Sequence, residues 1–395
     1  MRNTIKSFDF TLMIIPLLLA GFGIVMIYSA SMVTSLLEDN PANDLMVKQL
    51  IWFCIGLVLF VFTSFFKYTF YQKMMKLIVL TLMGLLISVL IFGSTFNNST
   101  SWIEIGPFSL QPSEFVKIGL IIYLAAIYAK KQEYISDFFK GVLPPLVVTS
   151  ILLGLIIMQP DIGTAGIVFA VSCVVIFSSG VRWKHLSFLI ITAVTLLLAL
   201  SFHLVTDERL SRFVGAYQPF SAPEGDGYQL IQSYIAIGTG GITGQGLGQG
   251  VQKLGYLTQA ESDFIMAVIA EELGFIGVSF VLTCLLIMVL RGMFIAWKCE
   301  DSFGSLLAIG ISGMVGIQSI INLGAISGLL PITGVPLPFV SYGGSSLIMF
   351  MMSLGILNNI ARHVKHHEYH KGSYHLKEEE NIKSNIGMVN QAKNG

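Results

Sequence analysis

ESDFIMAVIAEELGFIGVSFVLTCLLIMVL, residues 261–290, joins two unlike pieces of chain. Before it lies a polar, glycine-rich stretch, residues 206–262. From Asp263 onward the residues are mostly apolar for longer than the ~20 residues a helix needs to cross a core of ~30 Å. Strand alternation is absent and the run is too long for a barrel strand, so it reads as a membrane helix. A helix over 263–290 would be ~42 Å long, so its start is expected to project beyond the lipid with Asp263 above it. A carboxylate where a long loop meets a membrane helix has water on one side and low dielectric on the other. That setting suits a general base.

The same pattern repeats along the chain. Apolar residues make up 54% and charged residues 12%, about half the charge of an ordinary soluble chain. Mean hydropathy is +0.76. Apolar spans fall at about 8–30, 46–66, 74–94, 113–130, 141–158, 162–180, 184–205, 263–290, 303–327 and 340–361. The fold class expected is an all-α integral membrane protein with about ten transmembrane helices. Residues 1–361 would form the membrane domain and 362–395 a polar tail. With the N-terminus placed in the cytoplasm, 18 of the 23 lysines and arginines fall on the inner side. The five outside are Lys48, Lys117, Arg209, Arg212 and Lys253. Such a split puts both termini in the cytoplasm and makes 206–262 one large extracellular loop between spans seven and eight.

The first span follows only Arg2 and Lys6 and lacks a small-x-small cleavage site, so it reads as a retained anchor. None of the four cysteines lies in an outside loop, so no structural disulfide is expected. The tail holds five of the seven histidines, His363, His366, His367, His370 and His375. Without apolar residues to fix ligand geometry it reads as solvated and partly disordered, not as a metal site. No inverted repeat of the transporter type is visible.

Four outward segments carry unusual chemistry. In Gln111-Pro112-Ser113-Glu114-Phe115-Val116-Lys117, Ser113 is a candidate N-cap. Glu114 and Lys117 share a helix face near the outer end. They form either a structural ion pair or a polar site for a pyrophosphate, a cation or a proton. Trp102 precedes them. Asp161, in the turn Gln159-Pro160-Asp161, is placed to cap span six.

In the long loop, Gly238, Gly240, Gly241, Gly244, Gly246, Gly248 and Gly250 precede Lys253. No G-x-G-x-x-G or G-K-[ST] occurs, so nucleotide binding is rejected. A backbone-lined groove for a lipid pyrophosphate and a loop turning through left-handed positions both stay open. Tyr228–Ile237 reads as a short amphipathic helix on the membrane surface. Three prolines in 330–338, followed by Ser341-Tyr342-Gly343-Gly344-Ser345-Ser346, forbid a regular helix. Irregular backbone at this depth lines a cavity or is buried in protein; a cavity near the outer face is expected. Glu271 and Glu272 lie far from the midplane depth of a transporter carboxylate, so they are expected to hold the site together.

Taken together, these motifs resemble the SEDS (shape, elongation, division, sporulation) proteins of bacteria. The likeness rests on Gln111-Pro112-Ser113-Glu114, Gly240-Gly241, Gln252-Lys253, Asp263-Phe264-Ile265 and Glu271-Glu272-Leu273-Gly274. It continues through Gly328-Leu329-Leu330-Pro331 and Ser341–Ser346, and spans about residues 8–362. Gln318-Ser319-Ile320-Ile321-Asn322 and Gln252-Lys253-Leu254-Gly255-Tyr256 are more similar to the division branch, FtsW, than to the elongation branch, RodA. Two departures stand out: Glu261-Ser262 where members often have histidine-threonine, and Ser101 where many division members have arginine.

The resemblance implies a multi-pass protein of the bacterial cytoplasmic membrane that polymerises lipid II into peptidoglycan glycan strands on the outer face. It implies that Asp263 is the essential loop aspartate and that Glu114 and Lys117 are the cavity pair. Substrate would also meet Trp102, Arg209, Arg212, Lys253 and the segment Ser341, Tyr342, Gly343, Gly344, Ser345 and Ser346. A class B penicillin-binding protein, a transpeptidase, is the implied partner, with other divisome or elongasome membrane proteins and no nucleic acid. A divalent cation could assist departure of the pyrophosphate, but no ligand cluster in the sequence demands one. A lipid II flippase and a non-catalytic scaffold for cell-wall enzymes remain alternatives.

Overall fold

Within lipid every helix satisfies its own backbone, so small and polar side chains decide which helices come together. A computed structural model describes residues 8–96, 99–106, 108–185, 187, 191, 215–221, 223, 225 and 227–393. Helices α1 (Phe10–Leu37), α2 (Asp44–Phe65) and α3 (Tyr68–Phe92) lead into strands β1 (Ser94–Phe96), β2 (Ser99–Ile105) and β3 (Phe108–Leu110). Next come α4 (Pro112–Lys130), α5 (Leu143–Ile157, entered through a π-helical turn at Phe138–Val142) and α6 (Ile162–Ser178). The chain closes with α7 (Tyr228–Gly240), α8 (Ile265–Lys298), α9 (Ser302–Ile326) and α10 (Gly344–Lys393).

Among the described residues, eight helices are long and apolar enough to cross a membrane, and α6 is a shorter apolar helix. They coincide with expected spans one to six and eight to ten. The expected seventh span, 184–205, lies almost wholly outside the described residues.

Helices α4 and α10 form the centre. Their apolar windows are 83% and 89% buried, against 17% for α2. Glycine sets the close approaches. A Cβ at Gly119 of α4 would run into Leu82 of α3, and one at Gly310 of α9 into Ile121 of α4. Gly355 of α10 likewise faces Thr63 and the Phe60 carbonyl of α2. Such small-residue contacts let backbones approach where no water-driven force pulls helices together.

Four features differ from the sequence expectation. First, a three-stranded antiparallel sheet, ordered β1-β2-β3, covers the approach to α4. Ile105 pairs with Phe108 across Gly106-Pro107. Gly106 has φ +62°, as a two-residue hairpin turn requires. Second, α4 begins at Pro112 with Gln111 as its cap residue, and Ser113 lies inside the helix.

Third, α8 is not one projecting rod. It breaks at Gly274 (φ 62°, ψ −156°). The piece before the break, from Ile265, is buried within the protein. The glycine-rich segment fills the gap. Gln245 and Gly246 donate backbone N–H groups to the carbonyls of Glu271 and Glu272, at 2.9 Å each. Phe275 and Ile276 donate to the carbonyls of Gly241 and Ile242. The polar groups freed by the break are thereby satisfied by another segment, as helix ends demand. Gly240 and Gly244 are needed there, because a Cβ on either would collide with the α8 backbone at Ala270 or Glu272. Helix α7 packs on α8 and α9, with Ser233 donating to the Ile326 carbonyl at 3.0 Å, instead of only resting on a membrane surface.

Fourth, no break in the backbone marks the start of the expected polar tail at 362. The backbone of α10 stays helical to Lys393. No proline follows Pro338 to interrupt it.

Candidate functional site

Asp263 lies in the turn before α8, between Glu261 and the cap residue Phe264. Three clamps hold the backbone of this turn. The Ser341 hydroxyl donates to the Ser262 carbonyl at 2.6 Å, and the Tyr342 N–H donates to the Glu261 carbonyl at 2.9 Å. The Asn322 side-chain amide donates to the Asp263 carbonyl at 2.9 Å.

Among the described residues the Asp263 side chain makes no hydrogen bond; burial and Glu261 alone act on it. It does not cap α8, whose cap residue is Phe264, so simple helix capping does not explain it. Gly334, with φ +68°, lies beside it; a Cβ there would stand 3.7 Å from Asp263 Oδ2. The carboxyl is only partly exposed. Crowding by protein raises its pKa to about 7, with the charge of Glu261 adding to the rise. Glu261 is itself raised, first by burial and then by Glu38. A carboxylate poised near neutrality with open oxygens has the properties of a general base.

The second centre is on α4. Lys117 Nζ lies 2.7 Å from Glu114 Oε1 and 2.7 Å from Gln318 Oε1, with the Phe350 ring centroid 5.6 Å away. Both charged side chains are buried. Glu114 Oε2 has no hydrogen-bond partner among the described residues. Gln318 Nε2 donates in turn to the Pro336 carbonyl at 2.9 Å. Asn322, one turn along α9, donates its second amide hydrogen to the Val335 carbonyl at 2.8 Å. The two centres thus share one reference, the backbone at Val335-Pro336.

The irregular segment with the three prolines is partly exposed at Pro331–Thr333, exposed at Gly334, and buried toward its end. Val335, Leu337, Phe339 and Val340 are buried in protein. The segment after them is stitched down as well. Ser345 accepts a hydrogen bond from the Gln111 N–H at 2.9 Å. Gln49 of α2 bridges the Ser341 carbonyl and the Gly343 N–H at 3.3 Å each. A Cβ at Gly344 would strike the Trp52 ring. Ser341 and Ser345 therefore spend their hydroxyls on holding the turn, and Ser346 is buried beside them. Trp102 sits on β2 opposite Ser94 and is partly exposed.

Lys253 requires a correction. Expected to meet substrate, it is buried, and its ammonium is held by Glu272 Oε1 and the Ser29 hydroxyl. Enclosure by α1 and α8 leaves it no open face. Glu271 and Glu272 both bond the glycine-rich loop. Glu271 accepts the N–H groups of Val251 and Gln252, and Glu272 that of Gly248. Asp161 caps α6 through the Thr164 N–H and also accepts from Gln111 and Ser113. Arg209 and Arg212 lie outside the described residues.

Gln318 and Asn322 enter the sequence reading only within a motif of the resemblance, with no site role, and Ser29 does not enter it. The available signal was a pair of amides four residues apart in an apolar helix, where buried polar groups need a reason.

A family model described as a cell cycle protein, FtsW/RodA/SpoVE, matches residues 10–366. A "Probable peptidoglycan glycosyltransferase FtsW" of Bacillus subtilis (strain 168) is 48% identical over 381 residues, covering 94% of each chain. The Stage V sporulation protein E of the same organism is 39% identical over 91% of this chain and 98% of its own. Among solved structures, a chain from a study of the "structural coordination of polymerization and crosslinking by a peptidoglycan synthase complex" matches with TM-score 0.73 and 29% identity. The match covers 90% of this chain and 98% of the other. The Thermus thermophilus rod shape determining protein RodA matches with TM-score 0.65 and 26% identity, over 90% and 97%.

Proposed function

The chain belongs to the FtsW/RodA/SpoVE family, and on that premise we propose that it is a peptidoglycan glycosyltransferase that polymerises lipid II during cell division. The observation that carries this reading is the Asp263 carboxyl: backbone clamped, side chain unbonded, and poised near neutrality. In the reaction, Asp263 takes the proton from the 4-hydroxyl of the acceptor sugar. The hydroxyl oxygen attacks C1 of the lipid-linked donor, the C1–oxygen bond breaks, and undecaprenyl pyrophosphate leaves with the bonding pair. Developing phosphate charge falls to Arg209 and Arg212, by the electrostatic logic of phosphate clamps; Lys117 is buried and held by Glu114, as Lys253 is by Glu272. Lys253 has no part in this step.

The lysine and arginine distribution supports an outward-facing site in the bacterial cytoplasmic membrane. Cysteines placed at Ser221 and Thr258 should label with an impermeant thiol reagent in whole cells, whereas one at Ser373 should not. Labelling at Ser373 would reverse the orientation. The synthase-complex relative supports a class B penicillin-binding protein as the crosslinking partner.

The function is tested by incubating purified protein with lipid II, with and without that partner, and resolving glycan chains on a gel. Chain formation separates the polymerase from a flippase and from a scaffold. Lipid II translocation in sealed vesicles separates the latter two.

A further inference from the structure

Two amides of α9 read two consecutive carbonyls of one buried strand of backbone. Gln318 bonds the Pro336 carbonyl and Asn322 the Val335 carbonyl. Each spends its remaining polar capacity on a different centre. Gln318 accepts from Lys117, and Asn322 donates to the carbonyl of Asp263. Of the three clamps on the turn, those from Ser341 and Tyr342 hold residues 262 and 261. Among these clamps, the Asn322 bond is the one that reaches the peptide carbonyl of Asp263 itself. The orientation of that peptide plane governs where the Cα–Cβ bond points, and so where the carboxyl sits.

We propose that Asn322 is a positioning residue for the glycosyl transfer. It fixes the Asp263 carboxyl relative to the Glu114–Lys117 pair through their shared anchor at Val335-Pro336. The inference rests on the polymerase reading of the site. A packing role fits the chemistry less well. Asn322 is buried, and its Oδ1 has no partner among the described residues. A buried acceptor left unbonded is destabilising. A leucine of similar size would avoid that penalty but could not hold two carbonyls. The charged groups around Asp263 are few. Glu261 acts on it from the same turn. Tyr342, on the segment before α10, faces Glu261 and Asp44. Glu114 and Lys117 neutralise each other on α4.

The test uses full-length protein with its transpeptidase partner. Asn322→Asp keeps the shape but cannot donate both hydrogen bonds; Asn322→Leu keeps the volume. Displacing a catalytic group by about an ångström costs roughly 10²-fold in rate. Both variants should therefore lose kcat on that order while KM for lipid II stays within about twofold. In Asn322→Leu the acid limb of the pH–rate profile should also move to lower pH than in wild type, because a released carboxyl regains solvent; in Asn322→Asp the added carboxylate opposes that shift. A purely structural asparagine would lower the folded yield without moving that limb. Should neither variant fold, Asn322→Ser, smaller and still able to donate once, carries the measurement. Wild-type kcat and pH profile in any folded variant overturns the inference. An inactive wild-type complex would instead overturn the polymerase reading.

Discussion

Three carboxylates, Asp263 just before helix α8 and Glu271 and Glu272 within it, are treated in opposite ways by the structure. At Glu271 and Glu272 the side chains are fully engaged, by a lysine, a serine and loop N–H groups. At Asp263 the backbone is clamped and the side chain is left open. Both arrangements need burial and neighbours. In the first, those neighbours cancel the charge, and the carboxylate becomes a structural joint. In the second, they fix where the charge stands without using it, which is what a reacting group needs.

The sharpest way to break this contrast is to neutralise each acid in turn. Asp263→Asn should cut glycan polymerisation by about 10²–10⁴-fold, as loss of a general base does, with folding and partner binding intact. Near-normal polymer yield from folded protein would sink the catalytic assignment. Glu272→Gln should do the reverse. It strands the Lys253 ammonium in a buried site, a loss of about 3–5 kcal/mol. The measurement is thermal unfolding in detergent, and an unchanged midpoint with lost activity would move Glu272 into the same class as Asp263.

The α4 pair tests whether a joint and a reacting group can coincide. Glu114→Gln and Lys117→Met should each impair activity, and the double change should cost less than the two combined, with a coupling of about 0.5–3 kcal/mol. Additive losses would show that the pair does not act as a unit.

A further effect concerns pH. Folding raises the Asp263 pKa from 3.8 to about 7, so the native state holds a proton the unfolded chain has lost between those values. Ionised Asp263 therefore lowers stability as pH rises through that window. Asp263→Asn should unfold at a higher temperature than wild type at pH 8, with the advantage shrinking toward pH 4. An advantage independent of pH would mean that the carboxyl is not held in a desolvated site.

Much of this contrast was legible in the sequence. Asp263 and the Glu271-Glu272 pair were separable by their place relative to the apolar run, and Asp161 by its place before span six. Periodicity and length sufficed for the described spans because every membrane helix obeys one length rule. The rest depended on long-range pairing. Gly274 reads as a tolerated helix glycine until the loop carbonyls that replace its hydrogen bonds are seen. Three short strands carry too few alternations to register. Lys253 is silent in sequence because its serine partner lies 224 residues away.

The break in α8 bears on how the chain is made. Residues 241–252 are synthesised before the helix whose gap they fill, and their amides stay unmatched until residues 271–276 are in place. Lys253 must likewise wait for its counter-ion, while Ser29 has been ready since the first span. In a chain that stops short of Glu272, the Lys253 ammonium and the loop amides are left to water. The loop therefore takes its final form late in synthesis, together with the broken helix that bonds it.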